Sequence, residues 1–182
     1  RNFQSAGPGT VVAINPTTDV VEHVFVLEGL VNCGNLALAP NGNGLWGSCN
    51  GLFVGGVEQQ RQRSGLFYID LAGDEPVLSW TRSGDAMVGQ VIGFGVAPLS
   101  DSRAFFVALG QLGDEPVDDR LMVVDRASGD VFDTGVRAGA FELATPHISR
   151  GSMVLAPVAS AVNPRLERLR LVDGEELVPS SP

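Results

Sequence analysis

The sequence contains no lysine: all 12 basic residues are arginine, set against 21 acidic ones, for a formal net charge of −9. Nucleic acid is excluded as a partner on that balance, because a protein that holds phosphate needs a basic surface. The arginine-only usage reads as GC-rich coding bias with no mechanistic content. Histidine is almost absent, and neither His23 nor His147 has a serine or cysteine partner at interpretable spacing. His23 falls inside an apolar alternation and reads as a strand residue, and His147 follows Pro146 in a turn, so a nucleophile–base pair is unsupported. No apolar run approaches the roughly 18 to 20 residues that cross a bilayer, which predicts a soluble chain with no membrane span. Runs of ten or more residues with apolar positions three and four apart are also missing, which argues against a helical solenoid. Neither a secretory leader nor an initiator methionine is visible, and Arg1 reads as a processed or engineered start.

What is present is a chain of 182 residues, 44% of them hydrophobic, with a mean hydropathy of +0.16. That composition suits a compact fold with a substantial core. The stretch Gly9 to Gly51 sets its pattern. Thr10 to Ile14 runs into the turn Asn15-Pro16-Thr17-Thr18-Asp19, and Val20 to Leu27 returns with β-branched and aromatic residues. Asn35 to Ala39 then meets the turn Pro40-Asn41-Gly42-Asn43-Gly44, and Leu45 to Cys49 comes back. Proline, asparagine and glycine supply the fixed or positive φ such turns require.

The pattern recurs. Ile14-Asn15, Ile69-Asp70, Val124-Asp125 and Val172-Asp173 mark the first hairpin, their polar members spaced by 55, 55 and 48 residues. Asparagine or aspartate there accepts a hydrogen bond from the backbone two residues on, so the residue type is explained without a ligand. Ala39-Pro40, Ala97-Pro98 and Thr145-Pro146 mark the second hairpin, with returning strands Leu45 to Cys49, Ala104 to Ala108 and Met153 to Pro157. A repeat of roughly 40 to 50 residues holding four short strands is the size of one β-propeller blade. The sequence predicts an all-β chain of four-stranded antiparallel blades, with a β-sandwich or another all-β repeat as the alternative. Residues 1–182 form one propeller segment: a half blade over 10–27 and blades over about 32–82, 90–134 and 139–178. About three and a half blades do not close a ring that needs four or more. The expected partners are the remaining blades of a larger propeller on another or cleaved chain, or a second copy in a homodimer.

The two cysteines are placed by that frame. If the hairpin is symmetric about Asn41, Cys33 and Cys49 face each other on neighbouring strands, which suits a disulfide. A Cys–Cys metal site is the alternative, without a further cysteine or histidine nearby. A disulfide closing a loop of about 15 residues contributes on the order of 3 kcal/mol and favours a periplasmic or extracellular location. Two loops stand out, Gly55 to Ser64, long and polar, and Gln111 to Asp119, acidic. Loops carry function more often than core strands do, so a protein ligand is expected there. Asp114, Glu115, Asp118 and Asp119 are candidate oxygen ligands for Ca²⁺, with a solvated acidic loop as the plainer reading. Trp46, Trp80, Phe94, Phe105, Phe106 and Phe141 recur on strands, and most are assigned to packing between blades. Asn35 lies near the start of an expected innermost strand and is a candidate to face the central channel, or to satisfy local backbone.

The segments VVAINPTTDVVEHVFVLEG and NCGNLALAPNGNGLWGSCNG together resemble the YncE-like and lactonase-like β-propeller proteins of secreted bacterial type. A strand and turn of the form V-x-x-I-D-P-x-T precedes a hairpin L-A-x-x-P-D-G in such repeats. Val11 to Thr17 and Leu36 to Gly42 match, with Asn15 and Asn41 where aspartate is common. Leu66 to Asp74, Val96 to Phe106 and Leu121 to Val131 match loosely. The lactonase branch implies an enzyme that opens a sugar lactone, but no catalytic position carries over. The expectation is a non-catalytic secreted or periplasmic propeller that binds or scaffolds a protein or extracellular ligand. The alternative is a lactonase-like or metal-assisted hydrolase with part of its active groups on other blades.

Overall fold

A computed structural model describes residues 7–52, 55–149, 153–172 and 176–179. Strands β1 (Gly9–Ile14) and β2 (Val21–Leu27) form a two-stranded sheet. The first four-stranded sheet holds β3 (Cys33–Leu38), β4 (Gly44–Asn50), β5 (Ser64–Asp70) and β6 (Val77–Ser83). The second holds β7 (Val91–Pro98), β8 (Arg103–Leu109), β9 (Asp119–Asp125) and β10 (Val131–Ala138). The third holds β11 (His147–Ser149), β12 (Met153–Val158), β13 (Arg165–Val172) and β14 (Glu176–Pro179). In each sheet, sequence neighbours pair antiparallel in simple succession.

The sheets stack face to face in chain order because their middle strands are apolar on both sides. Alternate residues of β5 part company: Phe67 and Ile69 pack with Leu27 and Leu30 on one side, while Leu66 and Tyr68 pack with Phe106, Met122 and Val124 on the other. β8 does the same, Phe106 facing Trp46 and Phe105 facing Val154, Ala156 and Leu169 of the third sheet. Strand β7 lies against β3 and β4 and touches β11, so the first strands converge. Stacked four-stranded antiparallel sheets with converging first strands are the architecture of a β-propeller.

The hairpin turns work as their residue types dictate. The Asn15 side-chain oxygen accepts from the N–H groups of Thr17 and Thr18 at 2.9 and 3.3 Å, Asp70 from Ala72 at 2.9 Å, and Asp125 from Ala127 and Ser128 at 2.9 and 3.4 Å. Asp173 lies outside the described residues. Cys33 and Cys49 form a disulfide across β3 and β4, with Cα atoms 3.8 Å apart. The turn is not centred on Asn41, however. Leu38 faces Leu45, which centres it between Asn41 and Gly42, and the extra residue Asn35 at φ +51° shifts the register so that the cysteines meet.

Register shifts also occur at the first strands of the second and third sheets, and the last of them overturns one of the repeat markers. In β7, the register moves between Ile92 and Val96, around Phe94 and Gly95. In the third sheet, Leu143 bridges Val158 and His147 pairs with Leu155, so Thr145-Pro146 occupies the bulge before β11 and not the turn after it. Proline has no N–H to give a ladder, which suits it to this place. The Thr145 hydroxyl donates to the carbonyl oxygen of Phe94, and Gly95 at φ +94° leaves free the space where a Cβ would collide with the Thr145 side chain. Most of the recurring aromatics pack as expected: Trp46, Phe105 and Phe106 are fully buried and Trp80 packs against Trp46 and the cluster that holds Phe106, while Phe94 and Phe141 are exposed. The polar segment 55–64 contains a helix, α1 (Val57–Arg63), where a loop was expected. Its seven residues carry one apolar side chain, too few for a 3.6-residue period to register. A second short helix, α2 (Gly84–Val88), joins the first two four-stranded sheets, its N-terminus capped by Ser83 Oγ accepting from Ala86 N at 3.2 Å.

Candidate functional site

The connections β4–β5, β6–β7, β8–β9 and β10–β11 emerge at one end of the stack and enclose a cleft of about 740 Å³. Its polar groups are Asn50, Gln60, Arg61, Gln90, Gln111, Arg120 and Arg137, with Asp118 the one carboxylate among its lining residues. Leu52, Val57, Leu109 and Phe141 give it an apolar side.

The floor is held rigidly. Arg120 lies on β9, and its guanidinium donates through Nε to Gln90 Oε1 at 2.6 Å, through Nη2 to the same oxygen, and to the carbonyl of Val88 at 3.4 Å. Gln90 in turn donates to the carbonyl of Leu109 at 2.9 Å, tying the entry to β7 to the end of its neighbour β8. Arg137 on β10 grips Asp133 with both terminal nitrogens, at 2.7 and 2.6 Å, and Arg120 Nη1 stands 3.8 Å from the same carboxylate. The Arg137 hydrogen bonds hold the Asp133 carboxyl below the usual aspartate value, against the opposing effect of burial, and the Gly135 N–H adds to the lowering. The same pairing raises Arg137 above its ordinary value. Arg61 of α1 sits 3.3 Å from Asp85 and donates to the carbonyl of Gly89 at 3.3 Å. Pre-paired guanidiniums of this kind keep fixed positions and still have N–H groups to share.

Asp119 frames the far wall. It is fully buried, and its carboxylate accepts from three backbone N–H groups: Gly110 at 2.6 Å, Phe141 at 3.0 Å and Leu143 at 2.9 Å. It therefore clamps the β8–β9 loop to the β10–β11 connection and sets Phe141 at the cleft's edge. Asp114, Glu115 and Asp118 are exposed on that loop, whose ends are locked by the reciprocal backbone bonds between Gln111 and Val117, at 2.8 and 2.9 Å. Among the described residues, no three His, Cys, Asp or Glu side chains gather closely enough to hold a metal ion. Asn35 is exposed on the convergent strand β3, at its bulge. His23 is half-buried on β2 and stacks on Phe25 with ring centroids 6.1 Å apart, and His147 is exposed on β11. Gln90, Arg120 and Arg137 were not singled out by sequence, and only a periodicity-independent contact 30 residues long joins the first two.

No family model matches the chain, and no curated protein matches it. Among solved structures, it is similar to the β-propeller domain of the Trilobed protease from Pyrococcus furiosus, described as having an open velcro topology. The identity is 12% and the TM-score 0.49, over 94% of this chain and 48% of that one. The chain thus spans about half the length of that domain's chain. Among the described residues, no helix is long and apolar enough to cross a membrane.

Proposed function

We propose that the protein is a non-catalytic propeller module of a periplasmic or extracellular protein that binds its ligand in the cleft at the loop end. The observation that carries this is the cleft's chemistry. It offers three anchored guanidiniums and several carboxamides beside an apolar wall with Phe141, a recognition surface, and its single carboxylate has no second one with which to share acid–base work. Such a surface suits a ligand with a carboxylate or amide group on an apolar body, either a small molecule or an extended side chain of a protein. The disulfide supports an oxidising location. The rest of the propeller comes from polypeptide beyond these 182 residues.

The test is an NMR titration of the labelled protein with a panel of aromatic and aliphatic carboxylic acids and their amides. Shifts clustering at Gln90, Arg120 and Phe141, and lost in Arg120→Ala, are expected. Hydrolysis of any panel ester or lactone that depends on Asp118, or shifts scattered away from the cleft, would overturn the reading.

A further inference from the structure

The first and second four-stranded sheets repeat one arrangement around their aspartate turns, at Asp70 and Asp125. The residues one and three positions before the aspartate point at the preceding sheet: Ile69 and Phe67 are 1% and 0% exposed, and Val124 and Met122 are 0% and 4% exposed. In the two-stranded sheet the equivalents, before Asn15, are Ile14 and Val12, which are 57% and 46% exposed. Val21, Val24 and Val26 of β2 extend the same bare face. The other face of this hairpin is already packed: Val11 and Phe25 join Leu27, Cys49, Phe67 and Ile69. The bare face is therefore the next interface in an existing series of sheet-on-sheet contacts.

The backbone carries the same message. By its position before the turn, β1 corresponds to β5 and β9, and β2 to β6 and β10. β5 and β9 are each paired on both edges, to β4 and β6 or to β8 and β10. Among the described residues, β1 pairs only with β2. It is a third strand without a second, and one edge is open to strand addition.

We infer that β1 accepts an antiparallel β-hairpin, the first and second strands of its blade, donated by polypeptide outside these 182 residues. This rests on the reading that further blades exist elsewhere, and names where and how they join. A second copy of the chain is not the donor, because its own first-and-second-strand hairpins, β3–β4, β7–β8 and β11–β12, are already built into complete sheets. The donated strand runs antiparallel to β1, as β4 does to β5, and brings with it the preceding sheet that covers Val12 and Ile14.

The probe is a synthetic peptide of residues 33–50, closed by its own disulfide, which is this chain's hairpin of the required type. Hydrogen exchange of the intact protein is followed with and without an excess of it. Amides of residues 9–14 are expected to slow by about tenfold or more, with those of β8 and β9 unchanged, and a scrambled peptide is expected to have no effect. The inference is overturned if residues 9–14 exchange at the same rate while β8 and β9 stay protected, or if the scrambled peptide protects equally. Slowing that appears on raising the concentration of the protein alone would also overturn it, in favour of a second copy. Cleft binding by the carboxylic acid panel is read separately, so either reading can fail without the other.

Discussion

The two complete interfaces between blades are built differently. Between the first and second blades, buried side chains cross the seam to backbone groups. Ser48 Oγ accepts from Gly95 N and Ser64 Oγ from Ile92 N, both at 3.0 Å, and Asn50 donates to the Ile92 carbonyl at 3.0 Å. Trp46 Nε1 donates to the carbonyl of Ser100 at 3.2 Å, and the Arg126 guanidinium lies 3.8 Å over the Tyr68 ring, whose hydroxyl burial holds above the ordinary tyrosine pKa. Between the second and third blades the buried surface is mainly apolar, from Phe105 and Leu121 to Val154 and Leu169; the fully buried Asp119 is the directed polar crossing, to the N–H groups of Phe141 and Leu143, and Thr145 and Arg165 cross where the chain is exposed. Apolar burial stabilises without direction, whereas a buried donor must meet its acceptor, so directed pairs fix the register of the first seam and, at Asp119, one end of the second, whose remaining surface supplies adhesion. The cleft lies where the register is fixed.

The largest effects should come from emptying either seam. Trp46→Ala and Phe105→Ala each remove a fully buried ring and should cost about 3 to 5 kcal/mol by denaturant unfolding. The contrast predicts a further difference: Trp46→Ala alone should also disturb NMR signals of the cleft residues Gln90 and Arg120. Equal disturbance by both would erase the distinction. Next comes Asp119→Ala, which strands three backbone N–H groups and should cost about 3 kcal/mol while releasing Phe141. A loss under about 1 kcal/mol would show that water replaces the carboxylate. Ser48→Ala should cost about 1 kcal/mol, since Gly95 N–H loses its acceptor, and should alter the hydrogen exchange of β7 more than that of β12.

Acid gives the smallest and most local effect. Asp133 and Asp125 both have lowered pKa values, the first chiefly through Arg137, the second because bonds from Arg103, Ala127 and Ser128 outweigh the raising effect of burial. A lowered folded value means stability that is complete above the ordinary aspartate pKa of about 3.9 and lost as pH falls through the folded value. The melting temperature should therefore hold down to about pH 4 and then decline, with a shallower decline in Asp133→Asn. A decline that begins well above pH 4 would speak against these carboxylates.

Much of the fold was legible because its turns are chemical. Asn15, Asp70 and Asp125 announce their bends by accepting from the chain two residues on, and that local bond leaves a trace at fixed spacing. The cysteine pair was legible for a less direct reason: a turn misplaced by half a residue and an unseen bulge at Asn35 compensated one another. Bulges leave no such trace, which is why Thr145-Pro146 passed for a turn. The acidic loop drew notice for its charge, yet Asp119 spends its carboxylate on backbone amides. The cleft itself was not legible, because Arg120 and Arg137 meet only through the bulged register of β9 and β10, and Gln90, at the entry to β7, reaches them across the same sheet.

The most direct measurement is the mass of the native, non-reduced particle beside its denatured mass. The expected result is a particle that contains polypeptide beyond the 19.1 kDa of these 182 residues, contributing a strand along β1. A stable monomer of 19.1 kDa, with Val12 and Ile14 in water and no tendency to associate, would contradict the account.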